Sequence, residues 1–299
     1  MKNSLSFVIP SYNSFRTIDG TVQSILGQTC PDCIKEIIVV DSSEDTRTRE
    51  VLSAMRHPLV KVLLLDRKTS PAIGKNIGVQ HATGEILCFI DSDTELSDHW
   101  AENISESFSR GCRVGGGSIT VPAFQKNKAI VWAQYFLQVN EFMDASKRRR
   151  VSFVPGCNLF CDRKLFDEIK GFPEIRAAED VLFGLSASER TDVWFLPEAK
   201  VSHVFREDLK GLLANQILLG KYVFLYRRKH FPNVFYYQEL WPLLFMPVFL
   251  IAKFLKISGR IIRSNPDYFL KYLLVLPLFL LGLFFWGLGF AKGILSDEK

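Results

Sequence analysis

Apolar residues in the first hundred positions come in short unbroken runs, separated by stretches with helical spacing. LSFVIP (5–10) closes on Ser11-Tyr12-Asn13, KEIIVVD (35–41) ends on Asp41, VKVLLL spans 60–65, and EILCFID (85–91) runs into Asp91-Ser92-Asp93. Continuous apolar runs of this length predict strands covered on both faces. Between them, 14–28 places Ile18, Val22, Ile25 and Leu26 on one helical face, 48–55 reads as helix, and 71–82 reads as a helix entered through Pro71. Strand alternating with helix predicts an α/β fold with a mostly parallel sheet flanked by helices.

Past residue 114 the rhythm changes. VGGGSITVP predicts another strand and 126–143 a helix. VSFVPGCNLFCDRKLFDEIKGF predicts a strand, a glycine-containing turn and a short helix. Ala177-Ala178-Glu179-Asp180 opens a helix reaching about Ser188, and acids in a first turn suit the helix dipole.

The last seventy residues change solvent. Tyr272 to Ala291 is a run of 20 residues without a charge, about 30 Å as a helix, and predicts a transmembrane span. Leu240 to Ala252 gives 13 uncharged residues with Pro242 and Pro247 inside; it spans with its flanks, re-enters, or lies in the interface. Between the two sit Lys253, Lys256, Arg260, Arg263 and Lys271 against Asp267, and positive loops prefer the cytoplasm. With a cytoplasmic N-terminal part, that favours a first segment that does not fully cross. The expected organisation is a domain at 1–225 and a membrane-associated region at 226–299, with apolar segments near 240–257 and 272–291.

Composition narrows the function. Hydrophobic residues are 47% and charged residues 23% of the 299, and the 25 Phe crowd toward the C-terminus. A net charge of +5, with only the short basic clusters Lys147–Arg150 and Arg227–Lys229, argues against nucleic acid and suits a skirt facing anionic lipid. MKNSLSFVIPSYN is not a secretory signal, so the N-terminal part is expected in the cytoplasm at the inner or plasma membrane, and the six Cys as reduced thiols. Cys30-Pro-Asp-Cys33 and the pair Cys157 and Cys161 find no matching partners for a zinc set. No G-x-G-x-x-G opens a helix after the first strand and no Walker A loop occurs, which argues against nicotinamide, flavin and P-loop chemistry.

In open α/β sheets ligands bind beyond the carboxyl ends of the strands. Residues 10–13, Asp41, Asp91 and Asp93 all fall at that rim. Asp91 and Asp93 admit two readings, a turn or a pair facing a divalent cation, since residues i and i+2 of an extended chain point the same way.

In order along the chain, Val8-Ile9-Pro10-Ser11-Tyr12-Asn13, Ile38-Val39-Val40-Asp41, Gly74-Lys75-Asn76-Ile77-Gly78 with Ala82-Thr83-Gly84-Glu85, Asp91-Ser92-Asp93 and Glu179-Asp180 resemble a family 2 glycosyltransferase of the GT-A (Rossmann-like) fold over residues 5 to about 220. The resemblance implies a nucleotide-sugar donor, Mg²⁺ or Mn²⁺, and inversion at the anomeric carbon. It implies that Pro10 and Tyr12 line the base pocket, with Asp41 near base or ribose and Lys75 facing a phosphate, and that Asn13 and Asn76 also bind the donor. It places Asp91 at the ribose or metal, Asp93 on the metal, Asp180 as general base and Glu179 toward the acceptor. His203, in VSHVF, resembles a histidine that reaches the metal or diphosphate in some relatives, and otherwise reads as a packed polar residue.

This chain departs from the family at three places. Asp41 is followed by Ser42-Ser43-Glu44-Asp45 rather than a second acid and Gly-Ser, Lys75 stands where Arg is frequent, and only Gln216-Ile217-Leu218-Leu219-Gly220 appears where a processive polymerase carries Q-x-x-R-W. The expected activity is single transfer to a hydroxyl of a glycan or lipid-linked acceptor. A polyprenyl phosphate acceptor, which needs no base, is the alternative. A catalytically inactive membrane-bound binding module is the reading from another class, and the presence of Asp93 and Asp180 argues against it. A sugar nucleotidyltransferase would need a Gly-rich phosphate loop, which Ser11–Thr17 is not.

Overall fold

The computed structural model describes residues 3–144, 147–230, 234, 240–264 and 266–296. The chain divides into two compact units, Met1–Thr120 with Ser146–His203, and Val121–Ala145 with Val204–Lys299.

The first unit is built on a sheet with nine strands among the described residues. In chain order its elements are β1 (Leu5–Ser11), α1 (Ile18–Leu26), β2 (Ile34–Asp41), α2 (Thr46–Ala54), β3 (Val60–Leu64), α3 (Pro71–His81), β4 (Ile86–Phe89), β5 (Thr94–Leu96) and α4 (Trp100–Ser109). After β6 (Val114–Thr120) the chain leaves for the helix α5 (Ala129–Val139) of the second unit. It returns as β7 (Arg149–Val151), β8 (Leu159–Asp162), α6 (Arg163–Ile169), α7 (Glu179–Ser188) and β9 (Val193–His203). The strand order is β3-β2-β1-β4-β8-β6-β9-β5, with β7 paired to β9.

The first four strands are parallel, and three of the four runs read as covered strands are buried: Phe7, Val8, Ile9, Ile37, Ile38, Val39 and Ile86–Ile90 have essentially no exposure, whereas β3 is the edge strand and is not covered, with Leu64 exposed. The other half is mixed, where a mostly parallel sheet was expected. β8 runs antiparallel to both β4 and β6, and β5 and β7 run antiparallel to β9. Long apolar runs mark burial but carry no direction, and β5 and β7, at three residues each, are too short to show a period.

Two glycines bring α3 onto the sheet. A Cβ on Gly78 would lie 2.3 Å from Val8 Cγ1, and one on Gly74 would lie 3.1 Å from Pro10 Cβ. The spacing i, i+4 puts both on one helical face, so the Gly-Lys-Asn-Ile-Gly run lets α3 lie directly on β1 and carries Lys75 to the rim.

Cys30 and Cys33 are joined by a disulfide, where reduced thiols were expected; the 3-10 turn Pro31–Cys33 brings their Cα atoms to 5.4 Å, within the span a disulfide bridges. The other four cysteines are free and buried.

The second unit is helical: α5, α8 (Leu209–His230), α9 (Trp241–Leu244), α10 (Met246–Ser264) and α11 (Pro266–Ile294). Its core joins Phe224 of α8 to Trp286, Phe290 and Ile294 of α11. Glycines again set the approach, since a Cβ on Gly289 would meet Ile217 O at 2.1 Å and one on Gly220 would meet Trp286 O at 2.0 Å. Among the described residues one helix, Asp267–Ile294, is long and apolar enough to cross a membrane. The 240–257 segment is broken into α9 and the start of α10.

Candidate active site

The parallel strands end together at one rim. β1 and β2 pair in register to Ser11 opposite Asp41, and Ser11 Oγ donates to Asp41 Oδ1 at 2.7 Å. Ser43 donates to the same oxygen at 2.6 Å and accepts the Asn13 N–H at 2.7 Å. Asp41 is fully buried and its Oδ2 has no hydrogen-bond partner. A buried acceptor left in that state costs about 1–3 kcal/mol, so it suits a donor group arriving from outside. Beside it, the Tyr12 hydroxyl donates to Glu44, Lys68 Nζ lies 3.8 Å over the Tyr12 ring, and Asn13 holds φ 52° while its Oδ1 accepts from the Glu44 N–H.

The chain leaves β4 through Ile90 into a turn at Ser92-Asp93 and re-enters the sheet as β5. The turn and the acid pair are therefore the same feature. Antiparallel pairing sets Thr94 of β5 opposite His203 of β9, which brings the preceding Asp93 to His203: Asp93 Oδ1 lies 3.4 Å from His203 Nε2. Asp91 Oδ1 lies 3.7 Å from Lys75 Nζ.

Lys75 is fully buried and also lies 3.3 Å from Glu179 Oε1. Burial opposes its charge, but Asp91, Glu179 and Asp180 outweigh that and hold the ammonium above the usual lysine range. Asn76, next along α3, has both ends of its amide engaged by the Phe172 backbone: it donates to the carbonyl at 2.8 Å and accepts the N–H at 2.9 Å. Asn76 thus fixes the turn before α7.

Glu179 and Asp180 open α7 after Ala178, which is left-handed at φ 68°. Asp180 Oδ2 accepts the Gly156 N–H at 2.9 Å and Oδ1 accepts the Val181 N–H at 2.8 Å. Burial raises its pKa, the Glu179 charge adds to that, Lys75 offsets part, and the result is about 6.

Two residues of the site were not picked out from sequence. Gly156 threads between Lys75 and Asp180; a Cβ there would lie 2.4 Å from Lys75 Nζ. Cys157, set aside above for want of a cysteine partner, joins Asp91 and His203, and one ligand atom from each of the three lies within 4.8 Å of the others. Burial pushes its thiol pKa up, and Asp91 and Asp93 add to the rise. Oxygen, nitrogen and sulfur donors converging at the strand ends fit a divalent cation.

The model of Glycosyl transferase family 2 matches residues 6–170. Glycosyltransferase AglE of Haloferax volcanii is 24% identical over 172 residues, which are 56% of each chain, so the match spans about half of that relative. The putative teichuronic acid biosynthesis glycosyltransferase TuaG of Bacillus subtilis is 26% identical over 62% of this chain and 72% of its own. Among solved structures, the mannosyltransferase PcManGT from Pyrobaculum calidifontis in complex with GDP-Man and Mn²⁺ superposes with a TM-score of 0.66 at 17% identity, covering 100% of this chain and 89% of that one. GalNAc-T7 with UDP, GalNAc and Mn²⁺ gives 0.58 at 19% identity over 76% and 50%. The architecture is the GT-A fold, and the chain belongs to glycosyltransferase family 2.

Proposed function

We propose that this chain is a membrane-associated inverting glycosyltransferase, moving a sugar from a nucleotide-diphosphate-sugar donor to a hydroxyl of a glycan or lipid-linked acceptor. The observation that carries this is Asp180, a carboxylate raised to about 6 at the same rim as Asp91, Asp93 and His203. A base of that pKa is largely ionised at neutral pH yet a better proton acceptor than an ordinary carboxylate. It favours a hydroxyl acceptor over a polyprenyl phosphate, which arrives already ionised. Relatives named for teichuronic acid, succinoglycan and amylovoran biosynthesis favour a cell-surface polysaccharide or glycolipid as the product.

Each side chain then has a task. Asp41, with its open oxygen, and the Pro10-Tyr12-Asn13 turn hold the base and ribose. Asp91, Asp93 and His203 hold the cation, which when bound supplies neutralising charge for the leaving diphosphate. Lys75 sets the charge balance between Asp91 and Glu179. Glu179 lies on the acceptor side and raises the basicity of Asp180, which takes the proton of the attacking hydroxyl. Asn76 holds the approach to α7.

Attachment to a bilayer rests on the second unit. The exposed residues of α11, Phe269, Leu273, Leu280, Phe284 and Leu288 among them, form one apolar stripe. On α10, Val248, Ile251 and Leu255 are exposed beside Lys256 and Arg263. Apolar faces edged by basic residues suit an anionic membrane surface.

The test is nucleotide diphosphate release by detergent-solubilised protein over UDP-, GDP- and dTDP-sugars, with Mn²⁺ or with EDTA. The expected result is metal-dependent release from one donor, lost in Asp93→Ala. Release unaffected by EDTA and by that substitution would contradict the proposed donor site.

A further inference from the structure

The rim carries a donor that hard oxygen chemistry does not require. Cys157 lies in the Pro155-Gly156-Cys157-Asn158 loop, and its neighbours fix it on both sides. Gly156 is tied to Asp180 through its N–H. The Asn158 amide is fully used: it donates to the Ser118 and Ala199 carbonyls at 3.2 and 2.9 Å and accepts from Trp100 Nε1 at 2.9 Å. The loop that carries the thiol is thereby anchored on both sides, with the sulfur within 4.8 Å of ligand atoms of Asp91 and His203. The other free cysteines, Cys88, Cys112 and Cys161, join no such group among the described residues.

We propose that Cys157 is a ligand of the rim cation, so that Asp91, Cys157 and His203 form a mixed oxygen, sulfur and nitrogen set preferring a thiophilic divalent cation such as Co²⁺ or Zn²⁺ over Mg²⁺. This rests on the donor-site reading above. Mg²⁺ binds oxygen ligands and retains its waters, and gains little from sulfur. When the sulfur–metal bond forms, the thiol proton passes to solvent, and no redox change occurs. Asp93, 3.4 Å from His203, remains available to the same cation.

The experiment uses the full chain in a Cys30→Ser, Cys33→Ser background, because a reduced C-x-x-C pair would itself bind cobalt. The protein is stripped with EDTA, exchanged into buffer and titrated with Co²⁺, following the near-ultraviolet thiolate-to-cobalt charge-transfer absorption. The expected result is a saturable band that disappears when Cys157→Ser is added, with Co²⁺ affinity falling at least about tenfold and Mg²⁺ affinity unchanged. Co²⁺ binding that is lost in Asp93→Ala but shows no charge-transfer band would overturn the thiolate while leaving the donor site intact. Absence of Co²⁺ and Mn²⁺ binding, with the circular dichroism of a folded chain, would overturn both. If the serine variant does not fold, X-ray absorption at the cobalt edge of the parent decides: a sulfur neighbour of the cobalt is expected, and a shell of oxygen and nitrogen alone contradicts the proposal.

Discussion

The backbone N–H of Gly156 is bonded to Asp180 Oδ2 at 2.9 Å, and the Cα of the same residue faces Lys75 so closely that a methyl group would lie 2.4 Å from Nζ. One glycine therefore spaces Asp180, the proposed base, from the buried Lys75 ammonium beside it. Gly156→Ala is expected to displace Lys75, loosen the hold on Asp180 and lower kcat by at least about tenfold, with a loss of about 1–3 kcal/mol in stability. Steady-state kinetics and chemical denaturation of the same preparation check both.

With Asp180 as the proposed base, the acid limb of the pH–rate profile is expected to follow it. Its pKa is raised to about 6 by burial and then by the neighbouring Glu179 charge. The reactive form is the carboxylate, so kcat falls as pH drops through that value. Glu179→Gln removes the like charge and is expected to move the limb to lower pH, whereas Lys75→Met removes the offsetting cation and moves it higher. Profiles of kcat against pH for the three proteins measure the shifts and their opposite signs.

Glu36 supplies an acid-sensitive part of stability. It is buried in β2; burial raises its pKa, but hydrogen bonds from Lys61, Thr83 and Ser6 outweigh that and lower it from 4.5 to about 2. A folded pKa below the unfolded one stabilises above the unfolded value, and the contribution is lost as pH falls from about 4.5 toward 2. Glu36→Gln is expected to flatten the stability curve across that window, and to cost on the order of 2–3 kcal/mol at neutral pH. Urea denaturation at stepped pH gives the comparison.

Gly78 tests the approach of α3. Its Cβ position is 2.3 Å from Val8 Cγ1 in a strand with no exposure. Gly78→Ala is expected to destabilise by up to about 2 kcal/mol, because overpacking costs about 1–3 kcal/mol against a gain of about 1 kcal/mol from the better helix propensity of Ala. A thermal melt that moves upward would contradict the close contact.

The parallel half was legible because β1, β2 and β4 carry unbroken apolar runs at 7–10, 37–40 and 86–89 that stop at polar residues or just short of them, which marks both their burial and the rim they share. Strand direction beyond β4 was not legible, because pairing of β8 with β4 and β6 depends on where the chain returns after α5. His203 became interpretable through its register opposite Thr94, a relation between segments about a hundred residues apart. Cys157 was invisible for the same reason: its companions are a carboxylate and an imidazole from other segments, and spacing along the chain searches for cysteine with cysteine. The Cys30–Cys33 disulfide went against an expectation drawn from compartment rather than from local geometry.

The most direct test of Asp180 as the base separates binding from turnover. Nucleotide diphosphate affinity, by calorimetry with Mn²⁺, and kcat with a hydroxyl acceptor are measured for wild type and Asp180→Asn. The predicted result is unchanged affinity with kcat lower by about 10²- to 10⁴-fold. A variant that turns over near the wild-type rate would show that no base is needed at this position, and the acceptor would then be sought among groups already ionised.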